Sequence, residues 1–382
     1  MYIPYASQNI NIKDIKSVSD SLKKKFITQG PLVNRFEQAL KKKLKCKFAT
    51  VVNNGSSAIM IAGKILEWKK GDLIAVPPIT FLSSVNVIEH LGAQPLFIDI
   101  NLNDYCMDPN LLEKELIKDK KKKIKAAIIT DFGGQPADWT KFYKLKKKYK
   151  IHLINDNCHA IGSKIKKNKG YSCKYADLVT LSFHPAKAIT TGEGGAILSN
   201  KRIYDLKAKL LRSHGIERKN KNYWFYKMNN VGYNFRIPDI NCALGISQLK
   251  RLNYFIAKRR KIANIYNRFF SKYSIFTIPK NLKNNFNSYH LYPLLIDFKK
   301  LKIQKDLIIK KFLKFKIKTQ VHYIPVNSQP YYKKKYVLNK KLFKNSFKFY
   351  NQELSLPIFY DLSINQVNYI IKKCNLIFNL KN

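Results

Sequence analysis

Acidic residues are scarce in this chain, and their shortage sets its charge. The 382 residues include 24 Asp and Glu against 72 Lys and Arg, which gives a formal net charge of +48 at pH 7. Only nine of the basic residues are Arg, the side chain that makes bidentate contacts to phosphates and bases. The Lys residues lie in short runs along the whole chain, which favours solvated surfaces over a nucleic-acid-binding face. A basic surface would still favour a phosphorylated ligand.

Cysteine and long apolar runs are also in short supply. The six Cys are dispersed and form no CxxC pair, which argues against a disulfide framework or a zinc knuckle and predicts no metal site. No apolar run approaches the roughly 20 residues that span a bilayer, and the N-terminus lacks the basic and apolar regions of a signal peptide. The sequence therefore predicts a reduced, soluble, cytoplasmic protein.

Short apolar runs recur between about residues 46 and 200, each followed by a stretch of helical period. The runs are apolar on consecutive residues rather than on alternate ones, which is typical of strands that are covered on both faces. We therefore expect an α/β fold with a largely parallel seven-stranded sheet. The predicted strands are 48–52, 73–76, 96–98, 126–129, 151–154, 178–181 and 195–198.

After residue 200 the pattern changes to long, Lys-rich amphipathic helices, one of them predicted from about 240 to 270. Further along, shorter elements alternate. They are strand-like pieces at 291–296 and 319–323 and helices at 305–315 and 364–374. We expect a large domain at residues 1–250 and a smaller C-terminal α+β domain at 251–382, with the boundary between 250 and 270.

Ligands of open parallel sheets bind at the carboxyl ends of the strands, so the loops at these ends are the strongest candidates for a binding site. Gly55, Ser56 and Ser57 follow the first strand and open a helix, whose N–H groups and positive dipole end suit a phosphate. Ordinary helix capping is the alternative. Asp156 follows the fifth strand, where a buried carboxylate needs a cationic or donating partner. A turn-initiating Asp is the alternative there.

Lys187 lies a few residues beyond the sixth strand, beside aromatic and apolar neighbours. Most Lys of this chain are surface charges, but a desolvated Lys can lose its proton and attack an aldehyde as an amine. A phosphate cradle, a carboxylate and such a Lys are the three anchors that pyridoxal phosphate needs. The carboxylate would keep the pyridine nitrogen protonated, so that the ring can accept electrons.

Beyond these anchors, a series of motifs resembles the DegT/DnrJ/EryC1/StrS family of nucleotide-sugar aminotransferases. The resemblance covers nearly the whole chain, and SFHPAKAITTGEGGA at 182–196 is its most specific part. The other motifs are PITF (78–81), D-x-x-H (156–159), LRSHG (211–215), GYNFR (232–236), CALGISQL (242–249) and VHYIP (321–325). FITQGP (26–31) and QPYY (329–332) most resemble the pseudaminic acid branch of the family.

The resemblance implies a fold-type I homodimer that binds pyridoxal 5′-phosphate, with Lys187 as its Schiff-base lysine and Asp156 at the pyridine nitrogen. It places His159 near the phenolic oxygen and Phe81 on the ring face. The phosphate contacts implied are Gly55, Ser56, Ser57 and Ser182, together with Asn234 reaching across the dimer. The sugar contacts implied are Tyr5, Thr28, Gln29, His322 and Tyr323.

Several positions depart from the family pattern. Asn155 and Asn157 stand where an acidic and a small residue are usual on either side of the Asp. The Asn-Gly-Ser of residues 54–56 replaces a commoner Ser-Gly-Thr, which preserves the hydrogen-bonding chemistry. Asn327 stands where a His is frequent.

The function implied is transfer of an amino group from glutamate to the C4 ketone of a UDP-linked 4-keto-6-deoxy-N-acetyl amino sugar, in pseudaminic acid biosynthesis. One alternative is the same chemistry on a GDP- or dTDP-linked sugar. A family dehydratase is a second alternative, and Lys187 argues against it because His replaces the Lys there. A third is a catalytically idle regulatory or polyanion-binding protein on the same scaffold.

Overall fold

A seven-stranded sheet is the central feature of the computed structural model, which describes residues 2–218, 222, 224–337 and 339–380. Across the sheet the strands lie in the order β1-β7-β6-β5-β4-β2-β3, and β7 alone runs antiparallel to its neighbours. The predicted α/β fold with a mostly parallel sheet is confirmed. The strands are β1 Phe48–Val52, β2 Leu73–Val76, β3 Gln94–Phe97, β4 Ile124–Thr130, β5 His152–Asp156, β6 Leu178–Ser182 and β7 Gly195–Ser199.

Both faces of this sheet are covered, which explains the continuous apolar runs. Successive side chains of a strand point to opposite faces, so Ala127 and Ile129 of β4 join one buried cluster while Ala126 and Ile128 join another. Helices cover each face. The helices of the described chain, including those of its C-terminal part, are α1 Ile12–Leu22, α2 Pro31–Leu44, α3 Gly55–Ile65, α4 Leu82–His90, α5 Pro109–Lys118, α6 Trp139–Tyr149, α7 Tyr171–Tyr175, α8 Arg202–Arg212, α9 Asp239–Phe270, α10 Lys305–Lys314, α11 Pro330–Lys335, α12 Lys344–Gln352 and α13 Ile364–Phe378.

The C-terminal part of the chain forms a second sheet of three antiparallel strands. These are β8 Phe276–Thr277, β9 Tyr292–Ile296 and β10 Glu353–Leu356. With α10 and α13 they enclose a third buried cluster, which fits the predicted α+β architecture. The strand-like piece predicted at 319–323 is wrong, because that segment makes only an isolated bridge between Gln320 and Ser355.

Helix α9 runs without a break through residue 250 and joins the two parts of the molecule. Its Leu252 and Phe255 pack in a cluster of the large sheet, while Ile262 and Tyr266 pack in the C-terminal cluster. We therefore propose that the two expected domains meet along this helix rather than at a linker. Within the described residues, neither α9 nor any other helix is long and apolar enough to cross a membrane.

Candidate active site

A cavity of about 540 Å³ opens at the carboxyl ends of the parallel strands. Residues that end or follow β1, β4, β5 and β6 line it, because the ends of parallel strands meet at one edge of a sheet. Ten of the fourteen residues predicted for the site line this cavity. They are Tyr5, Gly55, Ser56, Phe81, Asp156, His159, Ser182, Lys187, His322 and Tyr323.

The first turn of α3 forms one wall of the cavity. The helix begins at Gly55 and its N-cap is Asn54, whose side chain accepts a hydrogen bond from the Ser57 N–H at 2.8 Å. Ser57 is buried off the cavity wall. The N–H groups of Gly55 and Ser56 donate to no residue in the described ranges. Free N–H groups at a helix start suit an anion.

Gly55 also brings this helix start against the end of β6. A Cβ built at Gly55 would lie 3.0 Å from the Cβ of Ser182, closer than nine in ten contacts of real Cβ atoms. Ser182 is partly exposed to the cavity, and its Oγ accepts the His184 N–H at 3.4 Å. The absence of a side chain at Gly55 therefore lets two hydroxyl-bearing segments converge on one anion-sized position.

Asp156 ends β5 with its carboxylate buried, at 4% exposure. One oxygen accepts the Ser84 hydroxyl at 3.0 Å, and the other accepts the Cys158 N–H at 3.2 Å. The second bond closes an Asx turn, so the turn-forming reading of this Asp and the buried-carboxylate reading both hold. Two donors hold the carboxylate from one side, and its other side faces the cavity, where a cationic or N–H partner could meet it.

Lys187 projects from a tightly closed loop between β6 and β7. Its main-chain N–H donates to the His184 carbonyl at 2.8 Å, and the Phe183 N–H donates to the Gly194 carbonyl at 2.8 Å. Burial lowers the pKa of Lys187, and the nearby groups of Cys158 and Asp156 oppose that shift. The environment of Lys187 therefore favours the neutral amine more than the environment of a surface Lys does.

His159 connects the strand ends to the C-terminal part of the chain. Its Nδ1 accepts the Gly133 N–H at 3.4 Å, and its Nε2 lies 3.1 Å from the Tyr323 hydroxyl. Burial lowers the pKa of His159 well below its usual value, and the charge of Lys187 adds to the shift. A neutral ring that accepts at Nδ1 must donate from Nε2. The Tyr323 hydroxyl then keeps its own hydrogen for a ligand.

The remaining predicted residues divide into two groups. Phe81 is 54% exposed at the mouth of the cavity, and its ring centroid lies 6.1 Å from that of Tyr323. Tyr5 packs 5.7 Å from the ring of His322. Three predicted residues lie on the surface instead, away from this cavity. They are Thr28, Gln29 and Asn234.

The surface positions have a fixed backbone. Asp239 accepts the N–H groups of Gly30 and Leu32 at 2.7 and 2.8 Å, which holds the turn that carries Thr28 and Gln29. Asn234 forms an isolated bridge with Ser213. Exposed side chains on anchored backbone are suited to contacts with another molecule.

The sequence reasoning missed a buried carboxylate beneath the site, that of Asp131. It is fully buried and accepts five hydrogen bonds at 2.7–3.0 Å. The donors are the Ala137 N–H, Trp139 Nε1, Asn155 Nδ2, Asn157 Nδ2 and Tyr171 Oη. Asn155 and Asn157, which flank Asp156 in the sequence and depart from the family pattern, therefore serve as amide donors to Asp131. An acidic side chain at 155 would have placed two carboxylates together.

Two further cavity residues were also missed. Thr130 ends β4 and lines the cavity, and the strand-end rule that found Asp156 could have found it. His290 packs with its ring centroid 4.5 Å from that of His159. It does not follow a strand of the large sheet, so no sequence signal pointed to it.

Residues 8–375 match the DegT/DnrJ/EryC1/StrS aminotransferase family. The chain belongs to this family and has the fold of type I transferases that depend on pyridoxal phosphate. It is an aminotransferase, and its cofactor is pyridoxal 5′-phosphate. The cavity fits that group, since it combines a buried carboxylate, free N–H groups at a helix start and a partly desolvated Lys.

Three comparisons are close over almost the whole chain. A Campylobacter jejuni protein (serotype O:23/36, strain 81-176) named UDP-4-amino-4,6-dideoxy-N-acetyl-beta-L-altrosamine transaminase is 38% identical, over 96% of this chain and 95% of its own. Helicobacter pylori PseC, an aminotransferase involved in the biosynthesis of pseudoaminic acid, superposes with a TM-score of 0.91 at 31% identity, covering 99% of this chain and 100% of that one. Spr1654 from Streptococcus pneumoniae, in its PLP form, superposes at 0.90 with 26% identity, covering 99% of both chains.

Proposed function

We propose that this protein transfers an amino group from glutamate to the C4 ketone of a UDP-linked 4-keto-6-deoxy-N-acetyl amino sugar, in pseudaminic acid biosynthesis. The observation that carries the proposal is one cavity that contains Lys187, Asp156 and the start of α3, faced by Tyr5 and His322. The similarity to relatives named for this transamination supports the choice of sugar.

The residues of the cavity have distinct proposed roles toward the cofactor. Asp156 would hold the protonated pyridine nitrogen, and Lys187 would hold the aldehyde carbon. His159 would lie near the phenolic oxygen and Phe81 on the ring face. When bound, the cofactor supplies an electron sink for the carbanion formed at the amino-acid Cα. The phosphate would be held by Gly55, Ser56 and Ser182, whereas Ser57, which was also expected there, is buried off the cavity wall.

Lys187 is also the proposed acid and base of the reaction. Its Nζ would move a proton from Cα of glutamate to C4′ of the cofactor, and in the second half-reaction would move a proton from C4′ to C4 of the sugar. Burial lowers the pKa of Lys187, which brings the amine closer to the neutral form that a general base needs. Its anchored loop keeps the amine at the cavity wall.

The sugar would bind at the wall formed by Tyr5, His322 and Tyr323. These side chains pack against one another, with ring centroids 5.7 Å apart for Tyr5 and His322 and 4.9 Å apart for His322 and Tyr323. Packed rings lose little conformational freedom on binding. They offer a preformed surface with two hydroxyls and an imidazole.

A homodimer with shared active sites would bring in the surface residues. Asn234 is exposed on anchored backbone and lies outside the cavity of its own chain. We propose that it donates to the cofactor phosphate in the other subunit, and that Thr28 and Gln29 complete the sugar site in the assembled dimer. Each cavity would then depend on both chains.

The state of the cysteines supports a cytoplasmic location for this reaction. All six Cys are free thiols, and five of them are buried. Reduced thiols persist in the cytosol.

The test is a product assay with the purified protein, glutamate and a panel of 4-keto sugars linked to UDP, GDP or dTDP. We expect the mass of an aminated product with the UDP-linked N-acetyl sugar, together with 2-oxoglutarate. Lys187→Ala is the matched control for reaction without the enzyme. A higher kcat/KM with a GDP- or dTDP-linked sugar would replace this substrate with another, and no amination with any sugar would refute the proposal.

A further inference from the structure

Glu353 and Ser355 lie behind the sugar wall on the same face of β10, because residues two apart in a strand point the same way. The neighbouring segment pairs Gln320 with Ser355, which places His322 opposite Glu353. The main-chain N–H of His322 donates to Oε2 of Glu353 at 2.9 Å. The three side chains are almost completely buried.

A chain of hydrogen bonds connects these three side chains. The Ser355 hydroxyl donates to Oε1 of Glu353 at 2.5 Å, and its oxygen lies 2.9 Å from Nδ1 of His322. A hydroxyl has one hydrogen to donate. Since Ser355 gives that hydrogen to the carboxylate, it can only accept from the imidazole. The proton of a neutral His322 therefore belongs on Nδ1.

The other ring nitrogen is the one left for a ligand. His322 lines the cavity, and its Nε2 makes no hydrogen bond to any described residue. We propose that Glu353 and Ser355 are positioning residues that keep the proton of His322 on Nδ1 and leave Nε2 as an acceptor for a hydroxyl or amide N–H of the sugar. This inference rests on the proposed function for its ligand, but the tautomer can be measured without one.

The charge on Glu353 decides which group donates in each hydrogen bond between Glu353, Ser355 and His322. Burial raises the pKa of Glu353 to about 7, opposed by its hydrogen bonds and by the charge of Lys305. The other ionisable groups facing it are Tyr105 and Tyr323. Burial and the charge of Lys187 lower the pKa of His322 to about 3, so the ring is neutral throughout this range and only the position of its proton can change.

Protonation of Glu353 would reverse the direction of both side-chain hydrogen bonds. The carboxyl would donate to Ser355, Ser355 would donate to Nδ1, and the imidazole proton would move to Nε2. A raised pKa means that the ionised form, and with it the acceptor at Nε2, is present above about pH 7 and lost below it. The tautomer of His322 should follow the charge of Glu353.

The experiment records ¹H–¹⁵N correlation spectra of the holoenzyme with labelled His side chains, on both sides of pH 7. His322 is assigned by the signals missing from His322→Gln. We expect a protonated Nδ1 and a bare Nε2 on the alkaline side. In Ser355→Ala, which removes the acceptor for Nδ1, we expect the proton to shift toward Nε2. Ser199→Ala, another buried strand Ser outside the site, should leave the spectrum unchanged.

A kinetic measurement tests the acceptor itself. Loss of one hydrogen bond to the sugar should raise KM for the sugar in Ser355→Ala about tenfold, and raise KM for glutamate much less. Ser199→Ala should change neither KM.

The outcomes separate this inference from the proposed function. A proton on Nε2 in the unmodified holoenzyme on the alkaline side, or an unchanged tautomer in Ser355→Ala, would overturn the inference even if the sugar is aminated. An unchanged KM for the sugar would overturn the role of Nε2 as an acceptor. Failure of every sugar to react, with the expected tautomer present, would refute the proposed function and still support the roles of Glu353 and Ser355 in fixing the proton of His322.

Discussion

The hydroxyl of Tyr323 lies 3.1 Å from Nε2 of His159, although the two residues are 164 positions apart in the chain. His159 follows a strand of the large sheet, and Tyr323 belongs to the C-terminal part. Both side chains line the cavity. The site is therefore assembled between the two parts of the molecule, and neither part contains it alone.

Asp156→Asn should leave the cofactor bound but reduce the rate at least about 100-fold, because a neutral amide cannot stabilise the positive charge on a pyridine nitrogen. Single-turnover kinetics with glutamate, followed by absorbance, measure this step. Ser84→Ala removes one donor to the same carboxylate and keeps its charge, so it should reduce the rate less. A rate for Asp156→Asn within about tenfold of the parent, roughly 1.4 kcal/mol of barrier, would contradict the role.

Asn234→Ala should weaken cofactor affinity about 10- to 150-fold, since a hydrogen bond to a charged phosphate contributes roughly 1.5–3 kcal/mol. Fluorescence titration of the apoenzyme with pyridoxal phosphate gives the Kd. Asn264→Ala changes an exposed Asn on α9 outside the cavity, and its Kd should stay at the parent value. Equal affinities for both variants would remove Asn234 from the site.

Mixing subunits tests whether the sites are shared. Lys187→Ala and Asn234→Ala each damage a different residue of one shared site, so a mixed dimer should contain one site with both native residues. Activity should therefore reappear when the two variants exchange subunits. Activity that stays at background after verified exchange, with each parent folded and dimeric, would count against sharing.

Asp131→Asn should destabilise the protein by about 2–4 kcal/mol, because the new amide has a single acceptor oxygen and turns its own NH₂ toward buried donors. Urea unfolding at fixed protein concentration measures the change. Asp20→Asn, at an exposed position on α1, should change stability by no more than about 0.5 kcal/mol. Equal midpoints for the two variants would show that the network under β5 contributes little to stability.

The large sheet was predictable because burial of both strand faces leaves a direct mark on the sequence. All seven strand positions and the long helix Asp239–Phe270 agree with the structure within two residues at each end. The strand predicted at 319–323 was wrong for a physical reason. Its apolar residues pack beside β10, but the segment forms a single bridge there rather than a ladder. An alternating or apolar pattern records burial and does not record pairing.

Some residues of the candidate site could be predicted from the sequence and others could not. Asp156 and the Gly55 turn could be found because they end strands, and Lys187 because its motif is specific. Asp131 directly follows β4, so the strand-end rule could have marked it. Its hydrogen bond from Asn155 and the bond between Glu353 and His322 join residues far apart in sequence, and no local pattern marks those contacts.

Borohydride reduction of the holoenzyme, followed by peptide mapping, tests the central claim most directly. The chain contains 63 Lys, and the account assigns the cofactor aldehyde to one of them. Lys187→Ala should fold, because the side chain faces a cavity, but should form no reducible link and show no turnover. The result predicted for the unmodified protein is a reduced cofactor on the peptide that contains Lys187. A cofactor attached to any other Lys would contradict the account.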